Sequence, residues 1–161
     1  MTIAIGQSLP ETTFMIMTPE GPQPRRTSEI FAGHKAALIG LPGAFTPTCH
    51  RNHLPGYIEH FAEFAAHGVD LVAVTSVNDV FVMDAWAKAT GGAGKIVFLA
   101  DGSAQFAKAL GLVADLTERG LGLRSQRYSM LVEDGVVRQL NLEEQPGAAE
   151  ISGAKAFLAR L

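Results

Sequence analysis

Three short apolar runs constrain this chain most: "KAALIGLP" (35–42), "VDLVAVTSV" (69–77) and "KIVFLAD" (95–101). Each is continuously apolar over strand length, which is the pattern of a strand buried on both faces. Helix start and stop signals lie between them. Asn78 or Asp79 caps a helix running to about Ala89, and "SAQFAKALG" is a short helix closed by Gly111. Around this core, "TFMIM" reads as a strand followed by the turn chemistry of "TPEGPQ". "RYSMLVEDGVVRQLNLE" reads as a hairpin about Asp134-Gly135, and "SGAKAFLARL" as a closing amphipathic helix. Strands alternating with helices, then a hairpin, predict an α/β fold with a mixed central sheet flanked by helices, in one domain over residues 1–161.

Several function classes are disfavoured by composition. A net charge of −3, without a basic run, offers no electrostatic footprint for nucleic acid or anionic lipid. No apolar run approaches the ~18 residues of a membrane span. The N-terminal "MTIAIGQSLPETTF" lacks the charged and apolar regions of a signal peptide, so the cytoplasm is the expected compartment. A single cysteine, Cys49, excludes an internal disulfide and a multi-cysteine zinc site.

That cysteine sits in "LPGAFTPTCHRNHLPGY" (41–57), directly behind the first buried strand. Thr46 is the expected N-cap, Pro47 fits the first helical position, and Cys49 falls at the third. The helix is expected to run to about Ala66, bent or broken near Pro55. At its start the thiol lies among N–H groups without intrahelical acceptors. Holding a thiol largely ionised at neutral pH takes roughly 3 kcal/mol of preference for the anion. A helix terminus supplies ~0.3–1 kcal/mol, and about 2 in good geometry. A cation must make up the difference, and "GLGLRSQRYSML" offers Arg124 and Arg127.

"PGAFTPTC", "HLPGY", "SVNDVFVMDAW" and "LGLRSQRYSMLVEDG", in that order, resemble the atypical type II peroxiredoxins, the peroxiredoxin-5-like group of the redoxin superfamily. The resemblance implies a thioredoxin-like fold and reduction of hydrogen peroxide or alkyl hydroperoxides, with no cofactor and no metal. It puts Pro42, Thr46 and Cys49 on the family's proline, threonine and peroxidatic cysteine. It selects Arg127 as the arginine, leaving Arg124, in the preceding "GLGLRS" loop, a supporting role. Relatives carry a resolving cysteine where this chain has Val74 or Ile151. A one-cysteine enzyme recycled by an external thiol follows, with glutathione, glutaredoxin or thioredoxin as candidates. Phe45, Phe81 and Trp86 read first as core residues, while the family's side-to-side homodimer would place Phe45 and Phe81 near the contact. His50 stands where the family commonly has serine, and Val80 where it has proline.

Blander readings stand beside these. His50 reads as a solvated first-turn side chain. His53, His60 and His67 read as surface or packing residues. Their spacing of seven sets them about 10.5 Å apart along a helix, too far to share a metal. His53 can also help shape the helix beyond the site, or join Cys49 as half of a metal pair that has no third ligand. A Cys49–His53 nucleophile of the hydrolase type and a thioredoxin-like binding module are the competing functions.

Overall fold

The computed structural model of the protein describes residues 1–145 and 147–161. Its first hairpin pairs β1 (Thr13–Thr18) with β2 (Gly21–Arg26), and α1 (Thr27–Phe31) leads into β3 (Lys35–Gly40). A π-helical turn (Cys49–His53), α2 (Leu54–Glu59) and α3 (Phe61–Ala66) then carry the chain to β4 (Leu71–Ser76). Next come α4 (Val80–Thr90), β5 (Val97–Ala100) and α5 (Gln105–Leu110). The remainder is β6 (Val113–Leu116), β7 (Gly122–Ser125), β8 (Tyr128–Glu133), β9 (Val136–Leu142) and α6 (Ala154–Leu158).

The main sheet has the order β2-β1-β5-β4-β3-β8-β9, while β6 and β7 pair as a separate ribbon. β3, β4 and β5 run parallel, and β8 pairs antiparallel with β3, so the sheet is mixed as expected. The fold is thioredoxin-like. β3 is covered on both faces. Ala37, Ile39 and Leu41 pack with Val72, Val74, Tyr57, Phe64, Trp86 and Phe157. Ala36 and Leu38 pack with Phe31, Leu99, Phe106, Tyr128 and Met130. Burial on both sides is why these strands carry apolar residues at every position.

Local chemistry fixes the ends of elements. Both Phe81 N–H and Val82 N–H donate to the Asp79 carboxylate at 2.9 Å, which makes Asp79 the cap of α4. Asp134 and Gly135 turn the β8–β9 hairpin with φ of 47° and 78°, the left-handed pair that this two-residue turn requires. β2, with Pro22 and Pro24, is tolerated because it lies at the edge of the sheet.

Two expectations are corrected. The helix after Cys49 does not break at Pro55. Leu54 N–H reaches back five residues to the Cys49 carbonyl, a π-type bond, and Pro55 follows in the first turn of α2. Proline has no N–H and its ring crowds the carbonyl four residues before it, and the π turn, whose bonds reach back five residues, lets the chain stay helical through it. The interruption falls at His60, whose ring nitrogen lies 2.9 Å from Glu63. Second, "GLGLRS" is not a loop, since Arg124 lies in β7 opposite Ala114. Strands of four residues between glycines give little periodic signal.

Candidate active site

The site forms where the chain leaves the C-terminal end of β3. Leu41 N–H extends the ladder to the Thr75 carbonyl, and Ala44 N–H donates to Asn78 Oδ1 at 2.9 Å. Phe45 then takes a left-handed conformation, with φ of 63°, and the helix begins. His50 N–H donates to the Thr46 carbonyl at 2.8 Å, so Thr46 opens the helix by its backbone. Its hydroxyl does not take the capping role expected of it. It donates instead to the Gly43 carbonyl at 2.7 Å, fastening the preceding loop and leaving its oxygen lone pairs open to a donor. Cys49 follows three residues later and is fully buried.

Strand alternation delivers the cation. Tyr128 pairs with Gly40 and packs its ring on the α5 face of the sheet. Its neighbour Arg127 therefore points to the opposite face, where Cys49 lies. Arg127 Nη2 donates to Cys49 Sγ at 3.0 Å, and the arginine is itself 2% exposed. An ionised donor on sulfur, shielded from water, is a charge-assisted contact of the strong kind.

The second guanidinium nitrogen reveals a residue whose part the sequence reading left open. Arg127 Nη1 lies 2.9 Å from His53 Nδ1, and His53 Nε2 lies 3.0 Å from the Ser152 carbonyl. A guanidinium only donates and a carbonyl only accepts, so the ring has a single consistent form. Nδ1 is the acceptor and Nε2 carries the proton. Burial first, and the Arg127 charge second, push its pKa from 6.5 down to about 3. His53 is thus a neutral prop for the arginine. The available signal was its position four residues after Cys49, on the same helix face. Tyr57, also buried, donates its hydroxyl to the same Ser152 carbonyl, and burial raises its pKa.

The other flagged residues fall as follows. Pro42 is buried, and its carbonyl accepts from Arg124 Nη1 at 3.2 Å, so Arg124 braces the loop beside the site. His50 is half-buried rather than solvated. Trp86 Nε1–H donates to its Nδ1 at 3.0 Å, and its ring stacks on Phe45. His60 is half-buried and bonded to Glu63, and His67 is exposed, so neither joins the site. Among the described residues no cluster of three His, Cys, Asp or Glu side chains could hold a metal. The hydrolase reading also loses its base, because the only lone pair of His53 is taken by Arg127.

A buried cysteine at a helix start, beside an arginine from a neighbouring strand, places this thioredoxin-like fold among the thiol-dependent redox proteins. Residues 4–158 match the Redoxin family, to which the chain belongs. Within it the chain is a peroxiredoxin. It is 46% identical to peroxiredoxin-2E-2, chloroplastic, of Oryza sativa over 99% of this chain and 73% of that one. It is 43% identical to the Oryza sativa peroxiredoxin-2C over 99% and 98% of the two chains. The crystal structure of reduced Prx3 from Vibrio vulnificus in complex with hydrogen peroxide superposes with a TM-score of 0.93, at 50% identity and 99% coverage of each chain.

Proposed function

We propose that the protein reduces hydrogen peroxide and small alkyl hydroperoxides at Cys49. The sulfur, as thiolate, attacks one peroxide oxygen in line with the O–O bond. That bond breaks, an S–O bond forms, and the leaving oxygen departs with the electron pair and takes a proton to become water or alcohol. Charge develops on the leaving oxygen, and the Arg127 guanidinium and the N–H groups of the first helical turn are the donors within reach of it, while the Thr46 hydroxyl oxygen, its own proton given to Gly43, accepts from the peroxide O–H. Pro42 excludes water from one side. Cys49 ends as a sulfenic acid.

The observation that carries this reading is the 3.0 Å contact between Arg127 Nη2 and the sulfur, with the guanidinium propped from behind by a neutral histidine. The peroxide bound to the Vibrio vulnificus relative supports the same substrate. Since Cys49 is the one cysteine of the chain, the sulfenic acid is attacked by an external thiol, giving water and a mixed disulfide that a second thiol resolves. Glutathione with glutaredoxin is the expected donor, with thioredoxin as its competitor. That dependence on outside thiols fits a reducing compartment such as the cytoplasm. A homodimer about the exposed Phe45 and Phe81 beside the site is part of the same reading.

The test is direct. Reduced protein is mixed with one equivalent of hydrogen peroxide, trapped with dimedone and mapped by mass spectrometry. Rapid adduct formation at Cys49 is expected. Oxidation no faster than that of free cysteine overturns the proposal. The donor follows from peroxide turnover with glutathione and glutaredoxin against thioredoxin and its reductase.

A further inference from the structure

Behind His53 the hydrogen bonds form a closed ring that begins and ends at Arg127. The Arg127 carbonyl accepts from Glu143 N–H at 3.0 Å, just beyond the end of β9. The Glu143 carboxylate turns inward, 8% exposed, and accepts from Glu150 N–H, Ile151 N–H, Ser152 N–H and Ser152 Oγ at 2.9–3.2 Å. That fixes the segment 150–152. The Ser152 carbonyl then receives His53 Nε2–H, and His53 Nδ1 receives the guanidinium that holds Cys49. Arg160 adds an outer tie, donating to the Ile151 carbonyl and to Asn141 Oδ1.

A carboxylate buried to this degree costs folding free energy unless its lone pairs are satisfied. Here all four hydrogen bonds to the carboxylate come from one short segment. The element gaining order from it is the carbonyl that sets the histidine ring. We propose that Glu143 is a positioning residue for the peroxidatic centre, acting on Cys49 only through Ser152, His53 and Arg127. It rests on the peroxidase reading above. Loss of the carboxylate lets segment 150–152 move, frees the His53 ring to rotate, and deprives the guanidinium of its prop. A 1 Å misplacement of such a group is enough to cost about 10²-fold in rate.

A double-mutant cycle separates this from simple loss of stability. The second-order rate with hydrogen peroxide, and the pH profile of Cys49 alkylation by iodoacetamide, are measured for wild type, Glu143→Gln, His53→Gln and the double variant. Glu143→Gln is expected to slow the peroxide reaction about tenfold and to move the alkylation profile to higher pH. On the His53→Gln background the same change is expected to do nothing further. Equal losses on both backgrounds, or no loss in the single variant, overturn the proposal. If Glu143→Gln does not fold, Ser152→Ala, which removes one of the four donors, carries the same expectation at smaller size. Failure of wild type to react with peroxide sinks the peroxidase reading alone. The alkylation profiles of the same four proteins still decide the coupling.

Discussion

His53 is a histidine made incapable of the chemistry histidine usually performs. Its ring is 1% exposed, sits against a guanidinium, and binds a proton only near pH 3. In the unfolded chain the same ring binds it near 6.5. Stability tied to this site is therefore complete above pH 6.5 and falls as the pH drops towards 3, by up to about 1.4 kcal/mol per unit. The other four histidines are common to wild type and the His53→Gln variant, so between pH 6.5 and about 5 the difference between the two proteins isolates His53. Urea midpoints across that window should fall more steeply in wild type than in His53→Gln. Parallel curves would mean that the ring is not held neutral. The sequence placed Cys49 at a helix start and supplied two arginines for it. It left this prop open, because a histidine four residues on reads equally as core, ligand or base until its two partners are known.

At the scale of elements, the arginine's aim depends on one register. Gly40 faces Tyr128 across the β3–β8 pair, and a Cβ on Gly40 would sit 2.2 Å from the tyrosine ring. The ring is fully buried among Phe31, Leu99 and Phe106 on that face of the sheet, so it has nowhere to retreat. Gly40→Ala is expected to destabilise by more than about 3 kcal/mol in urea denaturation. Folded protein that remains should react slowly with peroxide, because Arg127 is the next residue along. A neutral substitution would contradict this account of the register. The parallel core strands, the capped α4 and the Asp134-Gly135 hairpin were legible because each carries its own local signal. The β6–β7 ribbon and the π turn were not. The ribbon's strands are short and flanked by glycine, and the π turn is made by backbone bonds, such as that from Leu54 N–H to the Cys49 carbonyl, that no side-chain pattern encodes.

For the whole molecule, the exposed surface carries two large aromatic side chains, one of them in the loop that leads to Cys49. Phe81 is 65% exposed and Phe45 48%, both unusual for phenylalanine. The proposed homodimer buries them, and Phe81→Asp should convert a dimer to a monomer in light scattering after size exclusion. Monomeric wild type at micromolar concentration would remove the dimer from the account and leave the site intact. The account as a whole turns on one guanidinium, delivered across the sheet to one sulfur. Its most direct test is stopped-flow reaction with hydrogen peroxide at pH 7, comparing wild type, Arg127→Ala and Arg124→Ala. Wild type should react orders of magnitude faster than free cysteine, Arg127→Ala should lose at least about 10²-fold, and Arg124→Ala far less. A wild-type rate like that of free cysteine, or a larger loss at Arg124 than at Arg127, would contradict it.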